Sequence, residues 1–128
     1  MSEIPEDLRF TSSHEWLKVT DDGTVLVGIT DHAQDALGDL VYVEPPEEGN
    51  HYSAGDACAV VESVKAASDI YCPIAGVVAE ANDALVDAPE LINNQPYGDG
   101  WIMSIQPDNL DDVESLMDAE AYEDSLQE

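Results

Sequence analysis

Every apolar run in this chain is short, and glycine, proline or an Asp-Gly pair closes most of them. Runs that short, bounded by turn formers, read as strands rather than helices. Residues 14–20 and 24–29 are two such runs, and Asp22-Gly23 between them is a hairpin signal. Further strands are expected at 39–44, 57–62, 68–71, 76–80 and 101–105, with Pro45-Pro46, Gly49 and Gly55 as punctuation. Two segments depart from this pattern. Thr30 to Gly38 reads as a short helix near 31–37, with Thr30 or Asp31 capping its start and Gly38 supplying a left-handed stop. Residues 108–122 place Leu110, Val113, Leu116, Met117 and Ala121 at helical spacing, which predicts an amphipathic C-terminal helix. The fold class is mainly β: a sandwich of short strands, preceded by a short N-terminal arm. One domain is expected over 1–128, with its core at about 10–107 and the helix at about 108–122.

A faint internal echo supports a two-layered sandwich. Gly38-Asp39-Leu40-Val41-Tyr42-Val43-Glu44 leads to Gly55-Asp56, as Gly76-Val77-Val78-Ala79-Glu80 leads to Gly98-Asp99. The two copies flank the segment around Lys65, as a quasi-twofold axis through a hairpin there would require.

Charge narrows the partners. Asp and Glu number 29 against 3 Lys and Arg, for a formal net charge of −26. Nucleic acids and anionic membranes both demand clustered Lys and Arg, so neither is a partner. The 44% hydrophobic content still supports a core, so acidity is not disorder here. Such a surface repels itself unless salt screens it, over about 8 Å at ordinary ionic strength and roughly 3 Å near 1 M. The acids are spread along the whole chain, which predicts adaptation to the high-salt cytoplasm of a halophile. Met1-Ser2-Glu3-Ile4-Pro5-Glu6-Asp7 has neither the basic nor the apolar stretch of a secretory signal, and a cytoplasmic monomer is expected.

Most site chemistries find no support. His14, His32 and His51 form no i, i+4 pair, and no His/Cys cluster suggests a metal. Gly98-Asp99-Gly100 lacks the Lys and Ser/Thr of a phosphate loop. No G-x-S-x-G frames a nucleophile, so no catalytic residue is assigned. A two-residue turn at Val64-Lys65 would set Cys58 opposite Tyr71 and Ala57 opposite Cys72, placing the thiols on opposite faces and unbridged.

Lys65 stands apart. The other basic residues, Arg9 and Lys18, lie near the N-terminus, and no Lys or Arg follows position 65. It sits in Val61-Glu62-Ser63-Val64-Lys65-Ala66-Ala67-Ser68-Asp69, a small-residue bend between two extended runs. A Schiff-base lysine needs a depressed pKa, whereas Glu62 and Asp69 nearby favour the charged amine. A solvated turn lysine offsetting local carboxylates is one reading. An amine presented for covalent modification is the other, and the small neighbours Ser63, Ala66 and Ala67 leave room for a modifying enzyme.

This segment resembles the lipoylation site of the glycine cleavage system H protein family. The likeness continues through Ser13-His14-Glu15-Trp16, Gly28-Ile29-Thr30-Asp31-His32-Ala33-Gln34-Asp35-Ala36-Leu37-Gly38-Asp39 and Pro73-Ile74-Ala75-Gly76. It extends to Pro89-Glu90-Leu91-Ile92-Asn93, Pro96-Tyr97, Asp99-Gly100-Trp101 and Leu116-Met117-Asp118-Ala119-Glu120-Ala121-Tyr122. The resemblance implies a barrel-sandwich hybrid, the β-sandwich shared by lipoyl and biotinyl carriers. It implies (R)-lipoate amide-linked to Lys65 within an attachment motif of Glu62, Ser63, Val64 and Ala66. It further implies a non-catalytic shuttle that takes the aminomethyl group of glycine from a pyridoxal-phosphate glycine decarboxylase to a tetrahydrofolate-dependent aminomethyltransferase. Dihydrolipoamide dehydrogenase and a lipoate-attaching enzyme complete the implied partners. Ser13, Glu15 and Asp69 align with polar positions of the cleft in which that family is thought to lay its arm.

Two alternatives stay open from sequence. One is another carrier, whether biotinyl or a different lipoyl protein. Biotinyl domains usually flank their lysine with Met, where this chain has Val64 and Ala66. The second is an unmodified acidic interaction module in which Lys65 is structural.

Overall fold

The computed structural model describes residues 8–126, so most of the acidic N-terminal arm and the last two residues lie outside it. The strands form two sheets. One sheet has six strands in the order β1 (Arg9–Phe10), β2 (Glu15–Val19), β3 (Val25–Ile29), β9 (Met103–Pro107), β8 (Gly76–Ala81) and β5 (His51–Tyr52). The other has three, β4 (Leu40–Glu44), β6 (Ala57–Ser63) and β7 (Ala67–Tyr71). All pairings are antiparallel.

Alternation along the strands builds the core between the sheets. Leu17, Val25, Val27, Ile29 and Ile105 project from the larger sheet onto Leu40, Val43, Ala59, Val61 and Ile70 of the smaller. Sheet-on-sheet burial of this kind, at about 25 cal/mol per Å² of apolar surface, is the main stabilising term for a chain with so much charge to disperse. Helices α2 (Ala84–Asp87) and α3 (Glu90–Asn94), which the strand pattern did not disclose, close the core with Leu85 and Ile92. A smaller cluster of Leu8, Phe10, Trp16, Ala119 and Tyr122 lies apart from it. Gly28 is required there: a Cβ would stand 2.7 Å from the Trp16 indole, whose Nε1 donates to the Pro96 carbonyl at 2.8 Å.

The expected helix near 31–37 is α1 (Asp31–Leu37). Thr30 caps it by accepting from the Ala33 N–H at 3.2 Å, and Gly38 ends it at φ 87°. Expected strands match within a residue or two, and β9 is displaced furthest because Trp101 and Ile102 still complete a turn and bond Val27. The two echoed segments fall in different sheets, as β4 and β8.

Two expectations need correction. The C-terminal segment is not one helix over 108–122 but two, α4 (Asp111–Glu114) and α5 (Ala119–Leu126). Met117 exchanges both backbone bonds with Phe10, at 2.8 and 3.0 Å, and this bridge takes 115–118 out of the helical path. Asp118 then restarts the helix by accepting from the Ala121 N–H at 2.9 Å. The cysteines are not on opposite faces. The pairing runs as expected from Glu62↔Ala67 to Ala59↔Ile70, but a bulge at Cys58 shifts it to Ala57↔Tyr71. Both thiols are buried, free and close enough to interact. The neighbouring Cys72 sulfur and burial push the Cys58 thiol far above its ordinary pKa.

Candidate functional site: a hairpin lysine beside a cleft

Lys65 lies at the exposed tip of the β6–β7 hairpin. Ser63 shapes that tip: its backbone N–H donates to the Ala66 carbonyl at 2.8 Å, and its hydroxyl oxygen accepts from Lys65 N and Ala66 N at 3.1 Å each. Val64, 69% exposed, is tied to the body of the protein through its N–H to the Asp39 carbonyl, at 3.1 Å. Glu62 is half-buried opposite Ala67, one step before the turn. The turn thus sets the small side chains of Ser63 and Ala66 around one long, accessible amine.

The lysine does not extend straight into solvent. Its stem lies across Gly38, and its Nζ donates to the Ala36 carbonyl at 3.3 Å. Ala36 is on the wall of a cleft of about 240 Å³ between the hairpin, α1 and the start of β2. Ile29, Ala33, Leu37 and Ile70 contribute apolar surface to it, while Ser13, His14, Glu15, His32 and Asp69 contribute polar groups. The structure therefore brings Ser13, Glu15 and Asp69 together in one cleft, with the tip of Lys65 at its edge.

Glu15 is the unusual member. It is 2% exposed. Burial raises the Glu15 pKa from its ordinary value, opposed by hydrogen bonds from the Thr11 hydroxyl at 2.6 Å and from the Tyr71 backbone. Its carboxyl shares the cleft with His14 and His32, and among the described residues no Lys or Arg lines it. Asp69 and Ser13 are exposed and flank the opening.

Sequence reasoning missed several residues of this site. His14 adopts φ 70°, uncommon for a non-glycine residue, and its ring packs against His32 with centroids 4.9 Å apart. Its Nδ1 meets the Tyr122 hydroxyl at 2.8 Å, and that hydroxyl meets Thr30 Oγ1, also at 2.8 Å. Burial, and secondarily the neighbouring His32, lowers the His14 pKa. Spacing was the wrong signal for these two histidines, because 18 residues separate groups that adjoining strand ends bring into contact. No group of three metal-ligating side chains occurs among the described residues.

A two-sheet sandwich presenting one accessible hairpin lysine beside a partly apolar cleft has the architecture expected of a lipoyl-type carrier domain. Comparison with known proteins narrows that class. Residues 8–128 match the family model described as "Glycine cleavage H-protein". The chain is 60% identical to the glycine cleavage system H protein of Alkalilimnicola ehrlichii, over 97% of this chain and 95% of that one. Identity and coverage are the same for the H protein of Halorhodospira halophila. A crystal structure of the H protein from Mycobacterium marinum superposes with a TM-score of 0.89 at 44% identity, covering 98% of this chain and all of the other. The chain belongs to the glycine cleavage H-protein family.

Proposed function

We propose that this protein is the lipoyl carrier of a glycine cleavage system, with (R)-lipoate joined as an amide to Nζ of Lys65. The observation that carries this reading is the lysine itself: exposed on a hairpin turn, yet with its Nζ on the rim of a cleft that buries Glu15. The residues present suit the group. The apolar cleft wall of Ile29, Ala33, Leu37 and Ile70 fits a hydrocarbon chain, and the acidic end fits a cationic cargo.

When bound, lipoate supplies a strained disulfide that accepts the aminomethyl group reductively and is left as a dithiol once that group departs. The chain's own residues do the rest. Lys65 contributes reach, because its flexible stem and the attached chain together sweep a wide radius. Acylation removes its charge, taking the formal net charge from −26 to −27. Ser63 fixes the turn, and Ala66 and Ala67 keep the approach to the amine open. Glu15, with Asp69 and Ser13 at the opening, offers negative charge and hydrogen bonds to the cationic aminomethyl cargo. Ile29, Leu37 and Ile70 keep water from it. The protein performs no chemistry itself.

The partners on this reading are a glycine decarboxylase, an aminomethyltransferase, dihydrolipoamide dehydrogenase and the enzyme that attaches lipoate. A tether lets separate active sites share one substrate at high effective concentration, which suits a cargo that water would destroy. The setting is cytoplasmic; among the described residues no helix is long and apolar enough to cross a membrane. Ligation in vitro tests the assignment. The wild-type protein and a Lys18→Arg variant should each take up one lipoyl group from a lipoate ligase, and Lys65→Arg none. Uptake by Lys65→Arg would overturn it.

A further inference from the structure

We infer that the C-terminal turn of α1, the Ala36 carbonyl over Gly38, is a seat for the modified lysine that aims its arm into the cleft. This rests on Lys65 being the attachment site and goes beyond it by assigning positioning residues.

The carbonyls of the last turn of a helix have no partner within the helix. In α1 the Gln34 carbonyl is taken by the Gly38 N–H at 3.0 Å, and no basic residue lies in the last turn to serve the others. Lys65 Nζ reaches across from the other segment to serve Ala36, at 3.3 Å. An ammonium has three hydrogens to donate, and an acylated lysine keeps one N–H. Modification removes the charge but not this donor, so the same carbonyl receives the amide.

Gly38 makes the seat accessible. A Cβ there would lie 2.7 Å from Lys65 Cε and 3.5 Å from Nζ, and the residue has φ 87°. The seat is also held from below. Asn93 donates to the Gly38 carbonyl at 3.0 Å and to Gln34 Oε1 at 2.9 Å, while accepting from the Leu40 N–H at 2.9 Å. One side chain thereby spans the last turn of α1 and the first residue of β4. The hairpin tip is fixed to the same place by Val64 N–H on the Asp39 carbonyl. Ala36 and Leu37 also line the cleft, so an arm starting from this seat begins at the cleft's mouth. One net hydrogen bond of about 1 kcal/mol favours the seated arm roughly five-fold over the swung-out one. That bias is small enough for a partner to lift the arm away.

The chain has two lysines, Lys18 and Lys65, so protein grown with [ζ-15N]lysine and then lipoylated should show one side-chain amide N–H. Its hydrogen exchange should be slowed roughly five-fold relative to a lipoylated peptide of residues 61–69. Gly38→Ala, and Asn93→Ala where the first variant folds poorly, should restore the peptide's rate. Exchange as fast as in the peptide in the wild-type protein would overturn the seat while leaving the attachment site intact. Slowed exchange that survives in both variants would overturn it too. If no side-chain amide signal forms at all, the attachment site fails and the seat with it.

Discussion

Replacing Tyr122 with Phe tests whether the C-terminal helix holds the cleft in shape. The ring is fully buried and stacks on Phe10 with centroids 4.7 Å apart, contacts that phenylalanine keeps. Only the hydroxyl is lost. In the wild type it is hydrogen-bonded to the Thr30 hydroxyl and to His14 Nδ1, each at 2.8 Å. Thr30 is fully buried, so its hydroxyl would lose this partner, although it would still cap α1 by accepting from Ala33. Orphaning a buried hydroxyl costs about 1–3 kcal/mol, and the half-buried bond to His14 adds roughly 0.5–1.5 kcal/mol. Water admitted from the cleft offsets part of this, and a total of about 2 kcal/mol follows. For a domain of this size that lowers the melting temperature by roughly 5–10 °C. Calorimetry in molar KCl measures it. The same variant should shift the His14 titration, because its Nδ1 loses its partner, and histidine NMR reads that directly. A fall of under 1 °C with an unchanged His14 titration would refute the network.

Glu15→Gln should stabilise the protein increasingly as pH rises. Because burial raises the Glu15 pKa, the protonated carboxyl favours folding below its unfolded value of about 4.5. That contribution is lost as pH climbs through the raised folded value, whereas glutamine does not titrate. The melting difference, variant minus wild type, should therefore grow between pH 4 and pH 8 at fixed KCl; a constant difference, or one of opposite slope, contradicts the buried-acid reading. The −26 charge predicts a melting temperature that climbs steeply with KCl as screening shortens from about 8 Å toward roughly 3 Å. Equal stability in dilute buffer and molar KCl would remove the case for high-salt adaptation.

Local signals carried much of this fold. Asp22-Gly23, the Thr30 cap and the Gly38 stop each state their geometry within a few residues, and the structure follows all three. What failed was non-local. The spacing of Leu110 to Ala121 could not reveal that Met117 would bond Phe10 across the whole chain, and that bond is what splits the helix. A bulge at Cys58 adds a residue to one strand without any Gly or Pro to mark it, so the thiols met in the core unannounced. In the site, the residue types around Lys65 were readable because the turn is local. His14, Tyr122 and Asn93 were not, since each acts through hydrogen-bond partners 53 or more residues away that only the folded sheet brings near.

The central claim is that the one lysine kept on the hairpin bears a carried group. Intact-mass measurement of the protein purified from its own lipoate-replete cells, followed by peptide mapping, tests this most directly. A lipoylated species whose single adduct maps to the peptide containing Lys65 is the predicted result. A biotinyl mass, an adduct on Lys18, or a wholly unmodified chain would contradict it.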